Sequence, residues 1–459
     1  MSKNKLYLPK IRASAEFIIS AVGLTVLAAV YTRWFFSNTD KPWYSLLASF
    51  LSVSLFAAVC LRFVPGLVKF FRDDSEFVPP QEQERKFYCP IIFFSLLGFC
   101  LVILLIVYIF RLPNIDGGSF IETLDFWRCL DSNQYIHIAE GWYPSEGAMD
   151  DLVCLVFLPA YPISIKLVSF ILGDYLYSAF LVSGVCFAFA GCALYKLMLH
   201  EYGHSTAVRA VKYMCLLPGS FFYAAPMSES MFLLFFILCI YFVRTDRWLL
   251  SGLSAAAATF TRSLGLVLFG ILLLEYIRYA LTKGRLESFG RLIRRALCVP
   301  LSLLGFAAYL LINYLVSGDA FRYMEYQSEH WSQNLGWFFN TAEYQTRLAV
   351  QYLSDGDVYN FTGLWLPNLI AAFGALLIIL AAAKKLRASM TAGFIAYYVI
   401  AIGATWLLSA PRYLCACLPL IAACALLAGN KRLRYILDAL LLPMNIIYLY
   451  AFAMRWNVW

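Results

Sequence analysis

The sequence predicts an all-α, polytopic membrane protein, and three observations carry that prediction. Apolar residues make up 62% of the 459 and charged residues only 14%, against roughly 25% charged in an average soluble domain. Apolar runs of about 18 residues or more recur along the chain, each long enough to cross a hydrocarbon core of about 30 Å. Lys and Arg gather in alternate short loops, which is the charge bias of membrane insertion.

At the start of the chain Lys3, Lys5, Lys10 and Arg12 precede an apolar run that continues to about Phe36 without a small-residue cleavage site, which reads as a retained signal anchor. About thirteen spans are expected, at 13–35, 43–64, 88–110, 173–197, 207–224, 227–243, 248–261, 264–280, 297–316, 362–383, 391–410, 412–429 and 436–454. With the N-terminus inside, the cytoplasmic loops carry Lys69 and Arg72, Arg85 and Lys86, Arg209 and Lys212, and Arg244 and Arg247. Further along they carry Lys283 to Arg295, Lys384 to Arg387 and Lys431 to Arg434.

That charge distribution decides residues 152–172, which are apolar enough to be a span. A full crossing there would invert every later loop and expose the basic clusters on the outside. Pro159 and Pro162 also remove helical hydrogen bonds that a lipid-exposed span needs. A re-entrant or interfacial segment is expected instead, leaving the loops 111–172 and 317–361 on the same, non-cytoplasmic side. The chain then divides into N-terminal helices (1–110), an outer loop with its re-entrant segment (111–172) and central helices (173–316). A second outer loop (317–361) and C-terminal helices (362–459) complete it.

The net charge of +8 is accounted for by this topology, and no zinc-finger or helix-turn-helix spacing points to nucleic acid. Most of the thirteen cysteines fall inside apolar spans, where they act as small hydrophobes. Cys129 and Cys154, flanking the first outer loop, are the one pair near enough in that loop to suggest a disulfide. Four scattered histidines (His137, His200, His204 and His330) argue against a His-rich metal centre, and no resident cofactor is expected.

The first outer loop concentrates chemistry. Eight carboxylates (Asp116, Glu122, Asp125, Asp131, Glu140, Glu146, Asp150 and Asp151) stand against Arg111 and Arg128. Such carboxylates can hold a divalent cation through oxygen, but no ligand spacing separates that from solvation. Asp131 begins a polar patch in which Tyr135 and Ile138 follow at helical spacing. A carboxylate set there can act as a general base toward an attacking hydroxyl, although a solvated loop aspartate would have the same spacing.

Glu229, Arg262 and Arg412 fall at the outer ends of spans, where a charge faces a cavity or a partner or snorkels to the interface. Two arginines on one side suit a phosphate, whose oxygens match guanidinium geometry. In the second outer loop Gln327, His330 and Trp331 belong to a stretch of aromatics interleaved with amides. That composition suits a carbohydrate or headgroup surface, and equally an interfacial aromatic belt.

Together these pieces resemble the PIG-V mannosyltransferase family of the GT-C class of membrane glycosyltransferases, including its prokaryotic members. The segment Arg128-Cys129-Leu130-Asp131 through Tyr135, Ile138-Ala139 and Gly141-Trp142-Tyr143 is similar to the family's Arg-Trp-Asp, Tyr, Ile-Ala and Gly-Tyr. Phe157-Leu158-Pro159-Ala160-Tyr161-Pro162 is similar to its Phe-Phe-Pro-Leu-Tyr-Pro. Pro218 with Phe221-Phe222, Ser228-Glu229-Ser230, Thr261-Arg262 with Gly265, Gln327 with Trp331 and Gly336, and Arg412-Tyr413 also fall in the family's order. The match runs from about 110 to 430. It departs where Leu130 replaces the family's Trp and Arg128 stands one residue further from Asp131.

The resemblance implies a GT-C-type fold and inverting transfer of mannose from a polyprenyl-phosphate donor on the extracytoplasmic or lumenal face. The acceptor would be a hydroxyl of a glycan, glycolipid or protein. It implies Asp131 as the general base and Arg262 or Arg412 as the phosphate ligand. Glu229, Gln327 and His330 would position sugar hydroxyls or the acceptor, with Tyr135 and Trp331 completing the substrate site. The prenyl chain would lie among membrane lipids in an apolar groove beside 152–172. Two other readings share the composition: a lipid or sugar transporter or flippase, with its charges at mid-membrane on broken, repeated helices, and a non-catalytic scaffold subunit.

Overall fold

The protein's computed structural model describes residues 7–72, 87–114, 118–143, 153–282, 284 and 287–458. Asp116, Glu146, Asp150 and Asp151 of the acidic loop, and Arg85, Lys86, Lys283 and Arg285 of the basic ones, lie outside the described residues. Among the described residues, β-pairing is confined to one antiparallel bridge between Leu335 and Ala404.

Helices form where the apolar runs lie. The first three are α1 (Tyr7–Phe36), α2 (Trp43–Phe70) and α3 (Tyr88–Arg111). The first outer loop contributes α4 (Asp131–Gly141) and α5 (Ala160–Leu172). The central group is α6 (Tyr175–Tyr202), α7 (His204–Leu216), α8 (Glu229–Arg244), α9 (Trp248–Thr261), α10 (Val267–Leu281), α11 (Phe289–Cys298) and α12 (Leu304–Ser317). The second outer loop forms α13 (Arg322–Trp331) and α14 (Phe338–Ser354). The chain closes with α15 (Leu366–Ala382), α16 (Ala388–Ile402), α17 (Ala410–Cys415), α18 (Leu418–Leu427) and α19 (Lys431–Ala453).

Eight helical stretches among the described residues are long and apolar enough to cross a membrane, where thirteen spans were expected. The others are shorter because the chain breaks inside them. The run 207–224 leaves the helix after Leu216 at Pro218 and Gly219, then makes a single tight turn over Ser220–Tyr223. The run 412–429 divides between α17 and α18, and Pro419 sits in the first turn of α18. Residues 153–172 form a short turn and the 13-residue α5, about 20 Å of helix at 1.5 Å per residue. Non-helical backbone at membrane depth is tolerated where it is buried in protein or lines a cavity, so these breaks point to where a site lies.

The central helices pack closely because α9 offers small residues. A Cβ on Gly305 of α12 would stand 1.9 Å from the carbonyl oxygen of Ala256, a backbone atom that cannot turn aside. Small residues at such crossings let helix backbones approach. Gly305→Ala is therefore expected to destabilise the protein by about 1–3 kcal/mol, the usual cost of overpacking. Thermal unfolding in detergent checks this, and an unchanged midpoint would refute it.

Charge organises both ends of the helix group. At one end Arg244 closes α8, with Nε 2.5 Å from Glu201 Oε1 of α6 and Nη1 2.6 Å from Glu275 Oε1 of α10. Its Nη2 donates to Ser389 Oγ of α16 at 3.0 Å. Arg387 pairs with both oxygens of Glu275, at 3.2 and 3.1 Å. Because α8 begins at Glu229 and ends at Arg244, this basic cluster and Glu229 stand at opposite ends of the group.

Candidate active site

The site begins in the turn before α4. Trp127 is buried against Phe452 and Phe180, anchoring the chain that leads to Asp131. Ser132 Oγ accepts from the Cys129 amide at 2.8 Å and lies 2.6 Å from the Trp127 carbonyl oxygen. Between them Leu130 adopts φ 53, ψ −134, a left-handed conformation that is rare outside glycine and costs on the order of 1–3 kcal/mol. Strain of this kind persists where the surroundings over-determine it, and here it fixes Asp131 as the first residue of α4. The strained Leu130 lines the cavity, while the nearby Trp127 faces the core. Arg128 turns outward to Asp125 at 3.2 Å.

Three broken-helix segments supply the charged residues linked to Asp131. Glu229 is the first residue of α8, where the positive end of the helix dipole favours a carboxylate, and it is 1% exposed. Arg262 lies in extended backbone (φ −151, ψ 141) between α9 and the turn Ser263–Leu266. Arg412 belongs to the short α17 and is 2% exposed. Gly219 (φ 88) supports that helix, since a Cβ there would stand 3.0 Å from the Pro411 backbone.

The side chains form one connected network. Arg412 Nη2 donates to Asp131 Oδ2, and Arg412 Nε donates to Glu229 Oε1 at 2.5 Å. Arg262 Nη1 donates to the same Glu229 oxygen and to Ser228 Oγ, the latter at 3.2 Å. Ser228 Oγ and the Tyr135 hydroxyl are 2.8 Å apart. Burial raises the Tyr135 phenol well above its ordinary range, so it stays protonated. Two rings stack on the cations: Tyr413 on Arg262 at 5.4 Å and Phe222 on Arg412 at 5.4 Å. Charge-assisted contacts of this kind are the strong class of hydrogen bond.

The network opens on a cavity of about 220 Å³. Asp131, Tyr135, Arg262 and Arg412 line it, with Val156, Phe157 and Leu158 as its floor. Tyr143 and Tyr309 hold that floor by donating to the carbonyls of Phe157 and Leu155, each at 2.5 Å. On the far wall Tyr323, Gln327 and Trp331 recur at four-residue spacing on α13, one face of a helix. Backbone and side-chain bonds then zip 332–336 to 403–406: Gly336 N to Gly403 O at 2.6 Å, Thr405 N to Asn334 O at 2.9 Å and Gln333 Nε2 to the Trp406 carbonyl at 2.9 Å. The second outer loop is thereby tied to the segment that leads into Arg412.

Of the residues singled out from sequence, Asp131, Tyr135, Arg262, Arg412, Gln327 and Trp331 line one cavity. Glu229 does not reach it; it sits behind the two arginines and aims them. His330 is exposed and does not line the cavity; among the described residues its ring contacts are with Tyr326 and Trp331. The expected bridge between Cys129 and Cys154 is absent, and both are thiols. The phase of α4 turns Gln134 toward Cys154, whose Sγ donates to Gln134 Oε1 at 3.1 Å. Burial pushes the Cys129 thiol up to about 11. Sequence alone gives no role to Ser228, Tyr323 or Gln333, although the spacing Tyr323, Gln327, Trp331 marks the second of them. Among the described residues no three His, Cys, Asp or Glu side chains converge as a metal site would require.

The fold and this site define an all-helical, multi-pass membrane protein with a charged cavity at one end of its helix group. No protein-family model and no curated protein matches the chain in sequence. Among solved structures, ArnT from Cupriavidus metallidurans, bound to undecaprenyl phosphate, is similar at 14% identity and a TM-score of 0.42, covering 78% of this chain and 76% of that one. The Archaeoglobus fulgidus oligosaccharyltransferase, in complex with Zn and sulfate, is similar at 14% identity and a TM-score of 0.42 over 78% of this chain. The chain covers 53% of that protein's length.

Proposed function

We propose that the protein is a membrane glycosyltransferase of the GT-C class that moves a sugar from a polyprenyl-phosphate donor to a hydroxyl acceptor. The observation that carries this reading is the convergence of Asp131, Arg262 and Arg412, from three distant parts of the chain, on one cavity. Asp131 is the general base. It takes the acceptor hydroxyl proton as that oxygen attacks the anomeric carbon, and the bond from that carbon to the phosphate oxygen breaks with its electron pair going to the phosphate. A single displacement inverts the anomeric centre. Arg262 and Arg412 bind the phosphate and stabilise the charge it gains, an effect worth most in a water-poor site.

The cavity of about 220 Å³ is below the roughly 300–1,000 Å³ of pockets for drug-sized ligands. That supports a single sugar ring with its phosphate, and a donor whose bulk lies in the membrane. Gln327 and Gln333 offer amides to sugar hydroxyls, and Tyr323 and Trp331 offer ring faces. The outward face of α5, with Leu167, Phe170 and Ile171 exposed, is where the prenyl chain runs. Following the sequence resemblance, the sugar is mannose, the face is extracytoplasmic or lumenal, and the acceptor is a glycan, glycolipid or protein. The charges gather at helix ends around one cavity, an arrangement that favours chemistry over a transport path at mid-membrane.

The test is transfer of labelled sugar from polyprenyl-phosphate-mannose by purified protein in detergent. Asp131→Asn is expected to lower turnover by about 10²–10⁴-fold, the usual worth of a positioned base, with thermal unfolding unchanged. Equal turnover in the two proteins would remove Asp131 from its role. No turnover in either, across mannosyl and other hexosyl donors, would sink the reading.

A further inference from the structure

Arg412 is held by two carboxylates that differ in how firmly they are fixed. Glu229, at its Nε, is 1% exposed and begins the long α8. Asp131, at its Nη2, has a side chain 29% exposed and sits on the strained Leu130. Among the described residues Asp131 has no other side-chain hydrogen-bond partner. Arg412 and Asp131 both line the cavity, so a phosphate entering it meets the guanidinium at the contact with Asp131. The four charges Asp131, Glu229, Arg262 and Arg412 sum to zero.

We propose that Arg412 exchanges partners during the reaction: the donor phosphate displaces Asp131 from the guanidinium and so releases it to act as the base. This rests on the function proposed above. A sugar joined to a lipid phosphate is a phosphodiester with one negative charge, and its oxygens need the same N–H edge. When the sugar leaves, the phosphate becomes a monoester and gains a second negative charge, while Asp131 takes the acceptor proton and becomes neutral. The total charge in the cavity stays constant; one negative charge moves from one side of Arg412 to the other. Arg412 thus pairs with the phosphate most strongly when the phosphate charge is greatest, a gain confined to the transition state and the product complex. It also orders the reaction. While Arg412 holds Oδ2 of Asp131, the carboxylate charge is shared with the guanidinium, and the donor phosphate frees it to receive the acceptor proton.

Linkage makes the exchange measurable. If phosphate weakens the Asp131 to Arg412 pair, that pair must weaken phosphate binding by the same factor. Purified wild-type protein, Asp131→Asn, Arg412→Ala and the double variant are titrated with polyprenyl monophosphate in detergent, read by tryptophan fluorescence. Asp131→Asn is expected to bind on the order of tenfold tighter than wild type, within the usual range of coupling between two ligands. With Arg412 removed, the Asp131→Asn change is expected to have little effect. Should Arg412→Ala not fold, Arg412→Gln keeps an amide N–H for Glu229 and serves in its place.

Equal or weaker binding by Asp131→Asn overturns the exchange and leaves the proposed function standing. Equal tightening with and without Arg412 also overturns it, because it would reflect simple repulsion between anions. If wild-type protein and Asp131→Asn both fail to bind the lipid, the function proposed above falls and the exchange falls with it.

Discussion

Glu229→Ala is expected to destabilise the protein by about 3–5 kcal/mol, the cost of leaving buried charge uncompensated, and to abolish sugar transfer. One oxygen of this carboxylate accepts from both Arg262 and Arg412. Its removal leaves two guanidiniums, 14% and 3% exposed at their side chains, facing each other without the anion between them. Glu229→Gln is expected to do less to stability, since the amide oxygen still accepts, yet to weaken lipid-phosphate binding by loosening both arginines. Thermal unfolding in detergent and turnover on the same preparations measure the two effects. A Glu229→Ala protein that unfolds like wild type would show that the arginines are not coupled through this carboxylate.

A mutation of similar cost at the other end of the helices should separate stability from chemistry. In Arg244→Met, Glu201 loses the cation 2.5 Å away while both carboxylates remain. Glu275 keeps Arg387, so the loss falls chiefly on Glu201, whose side chain is 3% exposed. We expect a destabilisation of about 3–5 kcal/mol with turnover per folded molecule unchanged. The 16 residues of α8 separate this cluster from the cavity by about 24 Å at 1.5 Å per residue. A fall in turnover at temperatures where the variant is fully folded would mean that the two ends communicate.

Much of the architecture was legible because hydropathy is a local property. The long helices α2, α3, α6 and α19 lie where their apolar runs predict, and Pro159 and Pro162 marked a segment that forms only the short α5. The interruptions at Pro218 and Gly219, and between α17 and α18, were hidden, because broken and continuous helices carry the same apolar composition. Motif order singled out Asp131 among eight carboxylates. Nothing local could reveal that its partner is Arg412, 281 residues away. His330 stands beside Gln327 and Trp331 in sequence, but it is exposed near the end of α13 and outside the cavity lining. A Cys129 to Cys154 bridge follows from proximity in sequence, but in the fold Cys154 meets Gln134 of α4 instead.

By itself, the sequence determined that the chain is helical and crosses a membrane many times, and which short motifs stand at helix ends. Burial in lipid requires apolar runs of a set length, and polar residues persist only where something holds them. Only the tertiary structure decided how those polar ends are joined. It put Glu229 behind two arginines and Asp131 in front of one, since ion pairing acts through space over a few ångströms and is blind to separation along the chain.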